Sequence, residues 1–494
     1  MPQRIYNNFT PWIKQDNYLT GWASFIDSKN MDGLVEGIGI TLWPKVTKVV
    51  LTDTTPIRSM DSRQTSDIDL DETFTGWDWG NIYKFNSTDN TPAFTLANWN
   101  NIIKTVLLWN YLFFFYKSSL ASTSYWMARI SRNDAESNNW VAIDENFKTE
   151  WTFNAVGCPP VLIIGSEMYF GNASWQIATM DAAWTVATYS FPDDHVMWIT
   201  LQWSTIAVYS RSGNVYFWDG AATLESGRWI LWARAQKAIT LDWRDYITTE
   251  DGQFKTGSYT SFQKITEPNY SFRLEDNSVL WTKLNFIDND TDAHQDHTMR
   301  VAKDNIYVYN SDTVPWIYKY GNLVAWTAKG LHKVITQNNA GTQIDYIYDM
   351  YYYERTARRL YFSYKAGTTY WIDSINLDDL LTCSDWYAIT EVFTGWTAFL
   401  KQLNVARITV SNVDANNTAS LYYRVNNQAW ELLRTINSTT DDGYYRENIY
   451  SDINGIAFKQ FVDVQFKIEL HSDDNDNTPP TLNEFMFDYT ITNA

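Results

Sequence analysis

Short runs of β-branched and aromatic residues, broken by Gly, Asn and Asp, recur along almost the whole chain. Runs of this kind favour strands that are joined by tight turns. Residues 204–220, 304–326 and 354–375 are three examples, and each has the pattern of strand, polar turn, strand. Helical periodicity is scarce, so the sequence predicts an all-β fold.

Similar units recur from about residue 75 to about residue 380. Their spacing is compatible with the ~40 to 50 residues of a four-stranded propeller blade. We therefore expect a β-propeller of about seven blades over residues 51–382, with N-terminal strands in residues 1–50 leading into it. No fixed dipeptide marks each unit, so a β-solenoid and stacked sandwiches stay open as alternatives.

The pattern changes at Cys383, where strands become longer and the turns become rich in Asn, Asp and Thr. The strand-like stretches 406–413, 419–427 and 462–472 predict an antiparallel β-sandwich over residues 383–494. The acidic segment His471–Pro480 is expected to turn the chain between the last two strands. It lacks the Gly and the bidentate Glu of a calcium loop, which favours a solvated turn.

The charge and the apolar runs exclude several classes of protein. A net charge of −19 over 494 residues disfavours binding to a nucleic-acid backbone, so no specific nucleic-acid recognition is expected. The longest apolar stretch, Val106–Tyr116, is far shorter than the roughly 20 residues of a membrane-spanning helix.

The N-terminus has no secretory signal pattern, which predicts synthesis in a cytoplasm. Cys158 and Cys383 are expected to be buried thiols.

A search for chemical motifs finds neither a glycine-rich phosphate loop nor a nucleophile elbow. One stretch concentrates metal-ligand residue types, namely Asp288, Asp290, Asp292, His294, Asp296 and His297. Their spacing matches neither a calcium loop nor a zinc helix, so a solvated acidic loop is favoured. The sequence thus predicts no catalytic residue, no cofactor and no metal site.

Tryptophan is unusually frequent, and glycine is unusually rare. The chain has 25 Trp but only 21 Gly, whereas glycine usually makes up about 7% of a protein. Several Trp stand where a tight turn would favour glycine, because a turn often needs a positive φ that an indole side chain makes costly. They include Trp77, Trp109, Trp203, Trp243 and Trp396. We hypothesise that many of these codons are UGA, translated as Trp in this sequence but decoded as Gly in the organism. The alternative is that the Trp are real, as core aromatics or as exposed platforms that stack on sugars.

The opening of the chain contains Ile13, Ala23, Asn30, Asp32, Gly37, Ile38 and Pro44. In these positions it resembles the opening of propeller proteins from the neck and tail of tailed bacteriophages, and the match improves if Trp12, Trp22 and Trp43 are glycine. The stretch Phe461–Tyr489 is similar to the closing strands of phage virion sandwich domains. In the phage propeller proteins an Arg commonly precedes the Pro that corresponds to Pro44, and this chain has no Arg there.

The resemblance implies a non-enzymatic virion structural protein that acts in particle assembly or host attachment. Its expected partners are other virion proteins, further copies of itself in a ring, and a glycan of the host surface. Phages of bacteria that decode UGA as glycine would carry this Trp pattern, so the two features agree. Three alternatives remain: a carbohydrate-binding protein that recognises a receptor, a propeller glycosidase or lyase, and a bacterial surface scaffold.

Overall fold

A computed structural model gives the architecture of part of the chain. It describes residues 3–6, 25–29, 31–32, 41–42, 46–51, 57–61, 74–77, 80–84, 93–97, 101–117, 124–152, 159–171, 175–192, 196–220, 224–231, 235–249, 254–258, 261–264, 271–273, 280–282, 299–302, 304–310, 316–324, 328–335, 342–353, 358–377, 385–390, 392–393, 399–438, 444–450, 458–472 and 479–492. The prediction of an all-β chain is confirmed, since strands make up nearly all of its regular structure.

The described residues up to residue 152 lie mainly in strands. The N-terminal strands are β1 (Gln3–Tyr6), β2 (Phe25–Lys29), β3 (Met31–Asp32), β4 (Thr41–Leu42) and β5 (Val46–Leu51). The next group comprises β6 (Ile57–Asp61), β7 (Phe74–Trp77), β8 (Asn81–Lys84), β9 (Phe94–Thr95), β10 (Asn101–Leu108), β11 (Tyr111–Lys117), β12 (Ser124–Ser131) and β13 (Asp144–Thr152). A short helix α1 (Arg132–Glu136) and one 3-10 turn (Trp140–Ala142) lie between β12 and β13.

The middle of the chain continues in the same way. It contains β14 (Val161–Ile164), β15 (Glu167–Gly171), β16 (Gln176–Met180), β17 (Val186–Ser190), β18 (Val196–Gln202), β19 (Thr205–Ser210), β20 (Asn214–Trp218), β21 (Leu224–Ile230), β22 (Ala235–Leu241), β23 (Arg244–Thr249), β24 (Phe254–Ser258), β25 (Ser261–Lys264), β26 (Ser271–Arg273) and β27 (Leu280–Thr282). The last part contains β28 (Met299–Ala302), β29 (Asn305–Asn310), β30 (Trp316–Val324), β31 (Ala328–Ile335), β32 (Tyr346–Tyr353), β33 (Arg359–Ala366), β34 (Thr369–Asn376), β35 (Asp385–Thr390), β36 (Lys401–Ser411), β37 (Thr418–Val425), β38 (Glu431–Ile436), β39 (Tyr444–Tyr450), β40 (Gln460–Phe461), β41 (Val464–His471) and β42 (Thr481–Ile491).

Seven of the described sheets have four antiparallel strands. Six follow chain order: β6–β9, β10–β13, β14–β17, β18–β21, β22–β25 and β28–β31. The seventh consists of β32, β33 and β34, and it is completed by β5 from the N-terminal part of the chain. The strand-turn-strand units predicted at 204–220, 304–326 and 354–375 are confirmed as the pairs β19/β20, β29/β30 and β33/β34.

The first strands of these sheets face one another. Contacts join β6 to β10, β14 to β18, β18 to β22, β22 to β28, and β28 to β32. Apolar clusters also lie between neighbouring sheets, including one that links β10–β13 to β14–β17. Because β32 also contacts β6, the last sheet in chain order meets the first.

The apolar stretch Val106–Tyr116 illustrates how two neighbouring sheets cover a strand on both faces. It forms the hairpin β10/β11. In β11, Phe113 and Phe115 pack toward the β14–β17 sheet, while Leu112 and Phe114 pack toward the β6–β9 sheet. A strand that is buried on both faces reads as a continuous apolar run, which explains this stretch. Within the described residues, no helix has the length and apolarity needed to span a membrane.

The C-terminal strands form two five-stranded sheets. One has the order β1-β42-β36-β39 with β40 also paired to β36, and the other has the order β2-β35-β41-β37-β38. One apolar cluster contains residues of both sheets, among them Phe466 of β41 and Phe485 of β42, whose ring centroids are 4.9 Å apart. The strands expected at 406–413, 419–427 and 462–472 are present as β36, β37 and β41.

The N-terminal strands are shared between the two groups of sheets. β1 pairs with β42 and β2 pairs with β35, whereas β5 joins the β32–β34 sheet. We expected residues 1–50 to lead into the propeller, and the pairing places their first two strands in the C-terminal sheets. The domain boundaries at residues 51 and 383 stay a prediction.

Phe114→Ala should lower the free energy of unfolding by about 3–5 kcal/mol, because it leaves a cavity between two sheets. Phe114 is fully buried. Urea unfolding followed by tryptophan fluorescence measures the change. Val141→Ala is the control, since Val141 is 95% exposed and should change stability by less than about 0.5 kcal/mol. An equal loss in both variants would contradict the two-sided packing.

Candidate functional site

The first strands of the seven four-stranded sheets are β6, β10, β14, β18, β22, β28 and β32. Five of them carry a β-bulge, and the residue after the register shift has the equivalent position in each of the five. The register shifts occur at Ile57/Ser59, Ile102/Lys104, Val196/Trp198, Ala235/Lys237 and Ile347/Asp349. A bulge adds one residue to a strand and re-aims the side chains beside it. Since the first strands face one another, these positions bring Ser59, Lys104, Trp198, Lys237 and Asp349 into one group. We call them the ring residues.

Two ring residues connect one sheet to the next by the same contact. The Asp349 carboxylate accepts a hydrogen bond from the Met60 backbone N–H at 2.7 Å. The Ser59 hydroxyl oxygen accepts one from the Thr105 backbone N–H, also at 2.7 Å. In both cases the acceptor is a ring residue. The donor is the residue that follows the next sheet's own ring residue in sequence, so Met60 follows Ser59 and Thr105 follows Lys104. The contact therefore occurs at two successive junctions, from β32 to β6 and from β6 to β10.

Asp349 is surrounded by positive charge. Burial raises the pKa of Asp349 to about 6, while Lys104, Arg300, Lys237 and the bond from Met60 act in the opposite direction. Burial disfavours the charged form of an acid, and nearby cations favour it. Local sequence patterns do not reveal this group, because its members are far apart in the chain and only the sheet contacts unite them.

A second buried carboxylate joins the β18–β21 and β22–β25 sheets. Asp245 accepts hydrogen bonds from Gln202 Nε2 at 2.6 Å and from Thr240 Oγ1 at 2.7 Å, and also from the hydroxyls of Thr200 and Tyr209. Burial raises the pKa of Asp245, and these donors oppose the rise. Full satisfaction of a buried carboxylate by four donors favours a structural role for it.

Four described tryptophans have left-handed backbone conformations. They are Trp109, Trp184, Trp203 and Trp243, with φ between 52° and 63°. All four lie in hairpin turns, and Trp203 occupies the same turn position as Gly165 in the neighbouring sheet, each with φ of 57°. Asp242 and Trp243 both have positive φ in a two-residue turn, which is the place of the common Asp-Gly pair.

Two of these tryptophans form an exposed pair. Trp203 and Trp243 are 75% and 63% exposed, and their ring centroids are 5.2 Å apart. They are the tips of hairpins in adjacent sheets. Such a pair presents aromatic surface to solvent.

Of the other residues singled out in the sequence, one lies in a described strand and the rest lie outside the described residues. Trp77 is not in a turn, because it lies in β7 and pairs with Ile57, so the expectation of a glycine-like turn there is wrong. The acidic stretch 288–297, both cysteines, Trp12, Trp22, Trp43 and Trp396 lie outside the described residues. Within the described ranges, no group of three or more His, Cys, Asp or Glu is placed to hold a metal ion.

Comparisons with known proteins give little beyond fold likeness. No family model and no curated protein matches the chain. Among solved structures, it is similar to the WD40 beta propeller domain of Doa1, with 10% identity and a TM-score of 0.43 over 66% of this chain and 96% of that one. It is also similar to Sqt1 of Saccharomyces cerevisiae, with 8% identity and a TM-score of 0.42 over 67% and 99%. The computationally designed Ika8 protein matches with 7% identity and a TM-score of 0.35 over 67% and 99%. Likeness at these TM-scores carries no argument about function.

Asp349→Asn should change the pH dependence of stability. A raised pKa in the folded state means that Asp349 stabilises most when protonated, below its unfolded pKa of 3.8, and that this contribution is lost as the pH rises through about 6. Relative to the variant, the wild type should therefore lose roughly 3 kcal/mol between about pH 4 and about pH 7. Urea unfolding of both proteins across this range measures the difference, and parallel curves would contradict it.

Trp243→Gly should raise the free energy of unfolding by about 1 kcal/mol, because glycine adopts the left-handed conformation without the cost that a Cβ imposes. Trp218→Gly is the control, since Trp218 is only 1% exposed and its loss should cost at least about 3 kcal/mol. Thermal unfolding of the purified variants measures both changes. A loss of stability in both would show that Trp243 is favoured at its turn.

Proposed function

We propose that the chain is a seven-bladed β-propeller followed by an antiparallel β-sandwich. The propeller is supported by the seven four-stranded sheets, by the contacts between their first strands, and by the contact of β32 with β6. The strand β5 would close the ring by completing the last blade. The sandwich is supported by the apolar cluster that draws residues from both C-terminal sheets.

We propose that this protein is a non-enzymatic structural component of the neck or tail of a tailed bacteriophage. The observation that carries the proposal is the set of four tryptophans with left-handed φ in hairpin turns. Glycine is the residue that such turns favour, so UGA codons decoded as glycine account for all four at once. A phage whose host decodes UGA as glycine would show tryptophan at these codons when they are translated as Trp. The resemblance at Ile13–Pro44 and Phe461–Tyr489 supports the same origin.

The proposed mechanism is assembly. A ring of sheets that pack on both sides is rigid and presents many turns and sheet edges to neighbours. Its partners would be other virion proteins and further copies of the chain. The net charge of −19 would keep passing DNA from adhering. A glycosidase or lyase would need two or three converging carboxylates, whereas the charged groups that shift the pKa of Asp349 are cations.

The codons and the masses of tryptic peptides test the proposal. We expect peptides from the natural source to carry Gly at positions 109, 184, 203 and 243, and Trp at the buried position 218. Genes for portal or terminase proteins are expected beside this one, and a specific antibody should label the neck or tail of particles in electron micrographs. Tryptophan at all four turns, with no labelling of particles, would contradict it.

A second candidate function is receptor recognition through carbohydrate, which the exposed Trp203–Trp243 pair favours. It requires that both tryptophans be real. A glycan array with the wild type and with the double variant Trp203→Ala, Trp243→Ala tests it, and Trp175→Ala is a control because Trp175 is also half exposed. Loss of glycan binding only in the double variant is the expected result, and unchanged binding would exclude the pair.

A further inference from the structure

The strand β17 is an uncharged strand at the edge of its sheet. It is the last strand of the β14–β17 sheet, and among the described strands it pairs with β16 alone. Its five residues, Val186–Ser190, include Ala187, Thr188 and Ser190 as exposed residues. Another strand can pair with an exposed edge, and proteins usually prevent this with charged side chains, proline or a very short strand. β17 has neither a charge nor a proline within its five residues.

The outer strands of the other four-stranded sheets have the protection that β17 lacks. β13, β21, β25 and β31 each contain at least one Lys, Arg, Asp or Glu, and β9 has only two residues. The strand β5, which ends the seventh sheet, carries Lys48. The strands β2 and β3 also contact β31. Among these seven outer strands, β17 is therefore the one of more than two residues that can accept a further strand without opposing a charge.

Hydrogen bonds at both ends of β17 fix which of its backbone groups face outward. The Asp181 N–H donates to the Thr185 carbonyl at 3.2 Å, and the Phe191 N–H donates to the Trp175 carbonyl at 2.8 Å. In an antiparallel pair, alternate residues of a strand bond to the partner, so residues 187 and 189 also face β16. The N–H and C=O groups of residues 186, 188 and 190 therefore point away from the sheet.

We propose that β17 pairs antiparallel with β17 of a second copy of the chain, and that Thr188 faces its own counterpart on a two-fold axis. Val186 of one copy then faces Ser190 of the other. Each of the three facing pairs exchanges two backbone hydrogen bonds, because all three residues direct both backbone groups outward. The β14–β17 sheets of the two copies thereby join into one continuous sheet.

A second copy is the occupant that the chemistry of this strand fits. A two-fold contact needs a surface that is complementary to itself, and two identical antiparallel strands meet that need. Facing threonines form a favourable pair across strands, whereas facing like charges are unfavourable. Two chains that each carry a net charge of −19 repel one another, so an uncharged strand is where they can approach. The contact does not rest on the proposed virion role, and β17 contains no Trp whose codon could alter it.

Sedimentation velocity of the full chain tests the pairing. Because one strand from each copy buries little surface, we expect a weak dimer with a Kd of about 50 µM, measured between about 5 and about 500 µM protein. Thr188→Lys should give a monomer over the whole range, since it places two ammonium groups face to face on the axis. Thr435→Lys is the matched control, because Thr435 is also an exposed threonine on an edge strand, β38, and this variant should still dimerise.

A charge reversal tests the register. Thr188→Glu alone should also be a monomer, whereas an equimolar mixture of Thr188→Lys and Thr188→Glu should dimerise, because residue 188 faces residue 188 of the other copy. Near-ultraviolet circular dichroism checks that both variants keep the fold. A wild type that stays monomeric would overturn the proposal and leave the edge to a strand of another protein. Dimers of Thr188→Lys, equal loss in Thr435→Lys, or no dimer in the mixture would each overturn it as well.

Discussion

The middle strand β11 is apolar on both faces, and the packing of the sheets around it depends on this. A sheet of that kind is stable in water only when a neighbour covers each face. β11 meets this need between two sheets, with alternate side chains directed to each. β32, in the last of the seven four-stranded sheets in chain order, contacts β6 in the first of them.

Pairing between distant parts of the chain completes both groups of sheets. β5 completes a sheet whose other strands lie about 300 residues later, and β1 and β2 add to the C-terminal sheets. These pairings connect the two groups of sheets through the N-terminal strands. Formation of the last four-stranded sheet must therefore wait until most of the chain is present.

The bulges and the turns give this framework its special positions. The bulges place residues of mixed charge at equivalent positions of the first strands, among them Lys104, Lys237 and Asp349. The turns hold four tryptophans in a conformation that favours glycine. The first feature could not be seen in the sequence, since a bulge has no residue signature there. The second was visible in part, because Trp109, Trp203 and Trp243 stand between apolar runs.

The sequence by itself determined the strands and many of their turns, because alternating and β-branched runs and turn residues are local signals. Hence the three strand-turn-strand units and the long C-terminal strands were predicted. Only the tertiary structure decided which sheets touch, that β1 and β2 join the C-terminal sheets, and that Trp77 lies in a strand. It also decided that the charges of Lys104, Lys237 and Arg300 act on the carboxylate of Asp349. The physical reason is that each of these depends on contacts between residues far apart in the chain, which no local pattern encodes.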